Sequence, residues 1–285
     1  MSKSDSQLKA VVNKIASNAN TKIKEISSTI SAEDIVKQAI KIPGVRIDRS
    51  TFLRKEFMGH FPQKVVEQAI NECPAAANIS RDEIGELAKK VIQYETNKVS
   101  GISFAAGLPG GIAMAATIPA DAVQYFGFIL RVMQELAYLY GFPALIIDED
   151  NISAEVINEL LLFLGVMFGV QEASAGVKVL ASTISRTVAK RLASKALTKT
   201  AVYPIIKRIA TKIGFSMTKQ IFANGVSKIV PIIGGIATGG LTYATFKPCA
   251  NRLKDCFSEL NLSDPDEYKQ PEPIDVEYVS IDTSP

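Results

Sequence analysis

The sequence predicts an all-α protein: a compact multi-helix bundle with Gly-rich apolar helical hairpins and a disordered acidic C-terminal tail. Three observations carry that expectation. Apolar residues recur at helical spacing along most of the chain, helix-start and helix-stop residues punctuate it, and three apolar segments place small residues four apart. Composition agrees, with 285 residues, 47% hydrophobic content and a mean hydropathy of +0.15. These values lie at the apolar end of soluble chains, without the long uninterrupted runs of a polytopic membrane protein.

Residues 1–30 read as an amphipathic helix, with Leu8, Val11, Val12, Ile15, Ala19, Ile23, Ile26 and Ile30 on one side and Lys9, Lys14, Lys22 and Lys24 elsewhere. The main helical domain then spans 31–262. Ser31 and Asp34 open a short helix through Ile40 that Pro43 and Gly44 end, and Asp48 with Ser50 starts the next. His60, the single histidine, has no Ser, Cys or ligand partner at a diagnostic spacing and reads as a structural or surface residue. Pro62 begins a helix with Val65, Val66, Ala69 and Ile70 inward. Ser80 and Glu83 form a capping box before Ile84, Leu87, Ala88, Val91 and Ile92.

The centre of the chain is Val99–Gly141. It is uncharged as far as Ala120, broken at Gly107, Pro109, Gly110 and Gly111, and reopened as a helix by Thr117, Pro119 and Asp121. That second helix is apolar on most of its circumference. Its polarity is confined to one buried seam, Asp121, Gln124, Arg131 and Glu135, in which Arg131 and Glu135 pair across one turn. Gly141 and Pro143 close it.

Ser153 and Glu155 start a further helix whose apolar run, Leu160–Val170, is too short to cross a bilayer of about 30 Å. Small residues recur at Gly107 and Gly111, at Gly165 and Gly169, and at Gly235 and Gly239, the spacing that lets helix backbones approach closely. The last apolar segment, Ile229–Phe246, repeats the Gly-rich character of 108–116. It reads as a second hairpin, placed in a core or dipped into one leaflet.

Charge is unevenly distributed. From Ala173 to Lys254 the chain has 14 Lys and Arg and no Asp or Glu, with Val177, Leu180, Ala181, Ile184, Val188 and Leu192 as an apolar stripe. A basic amphipathic surface of this kind suits an anionic membrane, where each cation contributes about 1 kcal/mol. Lys190, Arg191, Lys195, Lys207 and Arg208 are the candidate lipid contacts. Nucleic acid is disfavoured as a partner, since no recognised reading motif is present. Residues 263–285 carry seven acids against Lys269 and form the acidic tail.

Enzyme signatures are missing from the sequence: no Walker loop, G-x-S-x-G elbow, H-E-x-x-H or Cys/His zinc pattern. No catalytic residue, metal or cofactor is therefore assigned, and a non-enzymatic role is favoured. Cys73, Cys249 and Cys256 are odd in number and lack C-x-x-C spacing, as expected of buried reduced thiols. The N-terminus lacks a continuous apolar signal core.

The segments ISFAAGLPGGIAMAATIPADAVQYF, QELAYLYG and VPIIGGIATGG resemble the EcsC-like family of bacterial proteins, over about residues 35–260. The family has no established reaction, so the resemblance supplies no catalytic residues. Its name ties it to an operon encoding an ABC transporter. The resemblance implies a bacterial, cytoplasmic, membrane-associated protein, peripheral to the inner face of the cell membrane, with integral insertion open and a membrane-protein partner or oligomer allowed. The function expected is binding of anionic phospholipid through the basic region, with shallow hairpin insertion. Two alternatives stand beside it: an enzyme or small-lipid-binding protein with a polar pocket around Asp121, and a membrane-disrupting effector in bacterial defence or competition.

Overall fold

The computed structural model describes residues 32–106, 120–148, 150–184 and 234–269, with backbone alone at 32, 101–106, 120–124, 183 and 234–244. Among the described residues every regular element is helical. The N-terminal amphipathic segment 1–30, Gly107 and Gly111, Thr117 and Pro119, the basic stretch 185–228 with its five candidate lipid contacts, and residues 270–285 lie outside them.

The order is α1 (Ala32–Ile40), α2 (Arg49–Phe57), α3 (Gln63–Asn71), α4 (Arg81–Ala106), α5 (Ala120–Leu139), α6 (Ala154–Met167), α7 (Gln171–Thr183) and α8 (Gly234–Ser258). A 3-10 turn (Asn261–Ser263) and α9 (Pro265–Lys269) follow. The starts follow local chemistry. Asp48 caps α2 by accepting from the Thr51 amide at 2.8 Å. At α4 the Ser80 amide donates to Glu83 Oε2 at 2.9 Å and the Glu83 amide to Ser80 Oγ at 3.3 Å, a reciprocal box. Ser153 accepts from the Val156 amide at 3.4 Å to open α6.

The stops are equally specific. After α5 the Phe142 amide reaches the Ala137 carbonyl at 2.9 Å and the Gly141 amide the Tyr138 carbonyl at 3.3 Å, with Gly141 at φ +93°. This is a Schellman stop. A Cβ at Gly141 would meet the Leu262 carbonyl oxygen at 3.0 Å, so close approach reinforces the conformational need for glycine.

α4, α5 and α8 form the centre. Glu95 meets Arg131 while Lys98 lies over the Phe128 ring, so three steps forward on α4 correspond to three back on α5: the two are antiparallel. Arg81 bonds the Leu260 carbonyl and Lys247 bonds Gln93, which makes α8 antiparallel to α4 as well. α1 covers α5 and α6, α2 packs on α3 and α5, and α7 packs on α6. At one end Phe257 of α8 sits 4.8 Å from Phe142, 4.9 Å from Phe163 and 6.2 Å from Tyr140, ring centre to ring centre. The apolar run of α6 is buried against these partners, Leu160–Met167 throughout. The three cysteines are free and buried.

Three expectations change. Integral insertion is corrected: among the described residues no helix is long and apolar enough to cross a membrane, because charged positions such as Arg131, Glu135, Lys247, Arg252 and Lys254 interrupt α5 and α8. Gly234–Phe246 is no separate hairpin; it forms the first half of α8, which runs on through Pro248 to Ser258. The folded body also extends past the boundary expected at Leu262. Ser263 is buried with its Oγ donating to the Leu260 carbonyl at 2.7 Å, Asp264 pairs with Arg81 at 3.1 Å, and Tyr268 donates to the Leu262 carbonyl at 3.1 Å.

Candidate functional site

The most unusual chemistry among the described residues is a set of charged side chains inside the bundle. Glu95 on α4 is fully buried, and Glu135 on α5 has a side chain only 8% exposed. One nitrogen, Arg131 Nη2, serves both carboxylates, at 3.2 Å from Glu95 Oε1 and 3.5 Å from Glu135 Oε1. Lys98 stands 3.8 Å from the same Glu95 oxygen. Glu95 Oε2, Glu135 Oε2 and Arg131 Nε are buried with no hydrogen-bond partner.

Burial pushes the Glu135 carboxyl up to about 8, with the Glu95 charge adding to the rise and Arg131 opposing it. Two carboxylates sharing one guanidinium nitrogen disfavour simultaneous ionisation, which favours the protonated form of Glu135. The arrangement can therefore bind and release a proton near physiological pH.

The cluster also anchors the chain between α1 and α2. One face of α5, formed by Gly127, Arg131, Gln134 and Tyr138, receives residues 42–47. A Cβ at Gly127 would touch Val45 Cγ2 at 3.0 Å, so the connection lies directly on the helix there. Arg131 Nη1 donates to the Gly44 carbonyl. Gln134 donates to the Val45 carbonyl at 2.9 Å and accepts from the Ile47 amide at 3.1 Å. The Tyr138 hydroxyl donates to the Ile47 carbonyl at 3.3 Å. Polar side chains of the helix thus supply the hydrogen bonds that this irregular segment cannot find in its own backbone.

The residues singled out from sequence distribute as follows. Arg131 and Glu135 meet at 3.5 Å. Asp121 and Gln124 lie in the first turns of α5, with side chains outside the described set. Gly165 is buried in α6. Gly169 lies two residues past the end of α6 at φ +75°, where a Cβ would meet nothing within 4 Å, so its requirement is conformational. Gly235 and Gly239 are helical, in the first turns of α8. His60 is exposed.

Sequence reading missed Glu95 and Gln134. For Glu95 the signal was present: it follows Ala88, Val91 and Ile92 by seven, four and three residues and precedes Val99 by four, on the apolar stripe of α4. A carboxylate at such a position enters the core. Gln134 had no comparable signal, because its partners are backbone atoms of a distant connection.

Among the described residues no group of three or more His, Cys, Asp and Glu is placed to hold a metal ion. Comparison of the chain with protein-family models, with curated proteins and with solved structures returns no match.

Proposed function

We propose that the chain is an EcsC-like, membrane-associated protein that binds anionic phospholipid through its basic segment, with the helical bundle as the body that carries it. The observation behind this reading is the distribution of partners among the cations of the acid-free stretch. Four of the 14 fall within the described residues, and each has a partner on the body. Lys178 pairs with Glu259 at 3.1 Å, Lys247 donates to Gln93 at 2.6 Å, Arg252 to the Met167 carbonyl at 3.0 Å, and Lys254 pairs with Asp255 at 2.7 Å. The others lie between Arg186 and Lys228, with no acid nearby in the chain. Such a segment draws affinity from anionic head groups at about 1 kcal/mol per cation. Flotation of the full chain with neutral and anionic vesicles, at low and high salt, tests it. Binding restricted to anionic vesicles and lost in salt is expected. Equal binding to neutral vesicles, or full binding after charge reversal at Lys190, Arg191, Lys195, Lys207 and Arg208, would overturn it.

A second reading, an enzyme or small-lipid-binding protein with a polar interior near Asp121, draws on the orphan carboxylate oxygens of Glu95 and Glu135. Lipid extracted from the purified chain, and lost in Glu95→Leu but kept after the five charge reversals, would favour it over the first.

A further inference from the structure

We infer that Arg131, Glu95 and Glu135 form a proton-controlled latch: with Glu135 neutral, Arg131 holds the Gly44 carbonyl, and ionised Glu135 takes the guanidinium and releases the connection between α1 and α2.

The geometry shows the first arrangement and leaves unpartnered the atoms the second would use. Arg131 Nη2 already touches Glu135 Oε1 at 3.5 Å, a long contact for an ion pair. The remaining donor on that side of the guanidinium, Nε, and the remaining Glu135 oxygen, Oε2, are both buried without a partner. Nε and Nη2 are the two nitrogens that a carboxylate engages in a side-on, two-bond pair. An ionised Glu135 completes that pair, and the turn of the guanidinium that this requires withdraws Nη1 from Gly44.

The charged groups bearing on Glu135 come from its own helix and two neighbours. Arg131 lies one turn away on α5, Glu95 and Lys98 face it from α4, and Glu56 and Lys55 act from α2. Arg131 is the cation in contact with Glu135, at 3.5 Å, while Lys55 pairs with Glu56 at 2.9 Å and Lys98 lies 3.8 Å from Glu95. The proton lost by Glu135 goes to solvent. The segment released is held besides by Gln134 and Tyr138, so the outcome is a loosened connection rather than a detached helix.

Amide hydrogen exchange on the full chain at a series of pH values between pH 6 and pH 9, corrected for intrinsic rates, reads the latch at two amides: Val45, bonded to the Ile42 carbonyl, and Ile47, bonded to Gln134. Protection there falls tenfold or more at pH 9 in the parent chain, while the amides of α8 keep theirs. Glu135→Gln, which cannot ionise, retains protection across the series. Glu95→Gln removes the neighbouring charge, lets Glu135 ionise more easily and moves the fall to lower pH. Unchanged protection in the parent chain, an equal fall in Glu135→Gln, or an unmoved midpoint in Glu95→Gln would overturn the latch. The Glu95→Gln shift remains decisive if Glu135→Gln does not fold.

Discussion

Replacing Arg131 by Met isolates the energetic role of the buried cluster. Met preserves most of the side-chain length and apolar contact while removing the guanidinium. Three losses follow: the charge-assisted hydrogen bond to the Gly44 carbonyl, the pairing of Glu95 and the pairing of Glu135. The hydrogen bond to a charged donor is worth about 1.5–3 kcal/mol. Glu95 keeps Lys98 at 3.8 Å as a partial partner, and Glu135 can remain neutral, so the full cost of two stranded charges does not apply. The sum is about 3–5 kcal/mol, in the range for breaking a buried ion pair from one side. Urea denaturation at pH 7, followed by helix ellipticity, measures it. In the triple variant Arg131→Met with Glu95→Gln and Glu135→Gln no charge is stranded, and at least half of the loss returns. A cost below about 1 kcal/mol for Arg131→Met, or a triple variant no more stable than the single, would refute the reasoning.

Further outcomes are open to measurement. Because the folded Glu135 carboxyl titrates near 8 and its unfolded counterpart near 4.3, the folded chain binds the extra proton between those values and stability falls as pH rises through that window. Between pH 5.5 and 9 the parent chain should lose about 2–4 kcal/mol more than Glu135→Gln in the same denaturation assay. Phe257→Ala empties the junction of Tyr140, Phe142 and Phe163 and should cost about 3–5 kcal/mol, read as a lowered denaturation midpoint. Gly141→Ala forces a side chain into φ +93° against the Leu262 carbonyl and should cost about 1–3 kcal/mol, whereas Gly85→Ala, in open space on α4, should stabilise slightly.

Much of the fold was legible because its local signals are strong. Asp48, Ser80 with Glu83, Ser153 and Gly141 act where the spacing placed them, since caps and stops depend on residues a few positions apart. The Arg131–Glu135 pair was legible for the same reason, being one helical turn apart. What the pattern could not supply is who lies opposite. Glu95 reaches Arg131 across 36 residues and Gln134 reaches Val45 across 89, distances at which periodicity carries no pairing information. Arg49 is a sharper case. It looks like an ordinary helix-start cation, yet it donates to the Ile70 carbonyl at 2.6 Å, the Glu72 carbonyl at 3.2 Å and the Phe142 carbonyl at 3.1 Å, tying the end of α3 to the end of α5. Beyond Leu262, composition registers the acids and not the arginine that meets Asp264.

The seating of residues 42–47 on α5 has a consequence for synthesis. Its hydrogen bonds join positions 87 to 91 residues apart, so the N-terminal part of the body leaves the ribosome well before the surface it needs exists. At about 5–20 residues per second the delay is on the order of ten seconds. Throughout it, Ile35, Val36, Ala39 and Ile40, all buried in the finished protein, remain uncovered. The emergence of α5 is therefore the event that supplies the native cover for this apolar face.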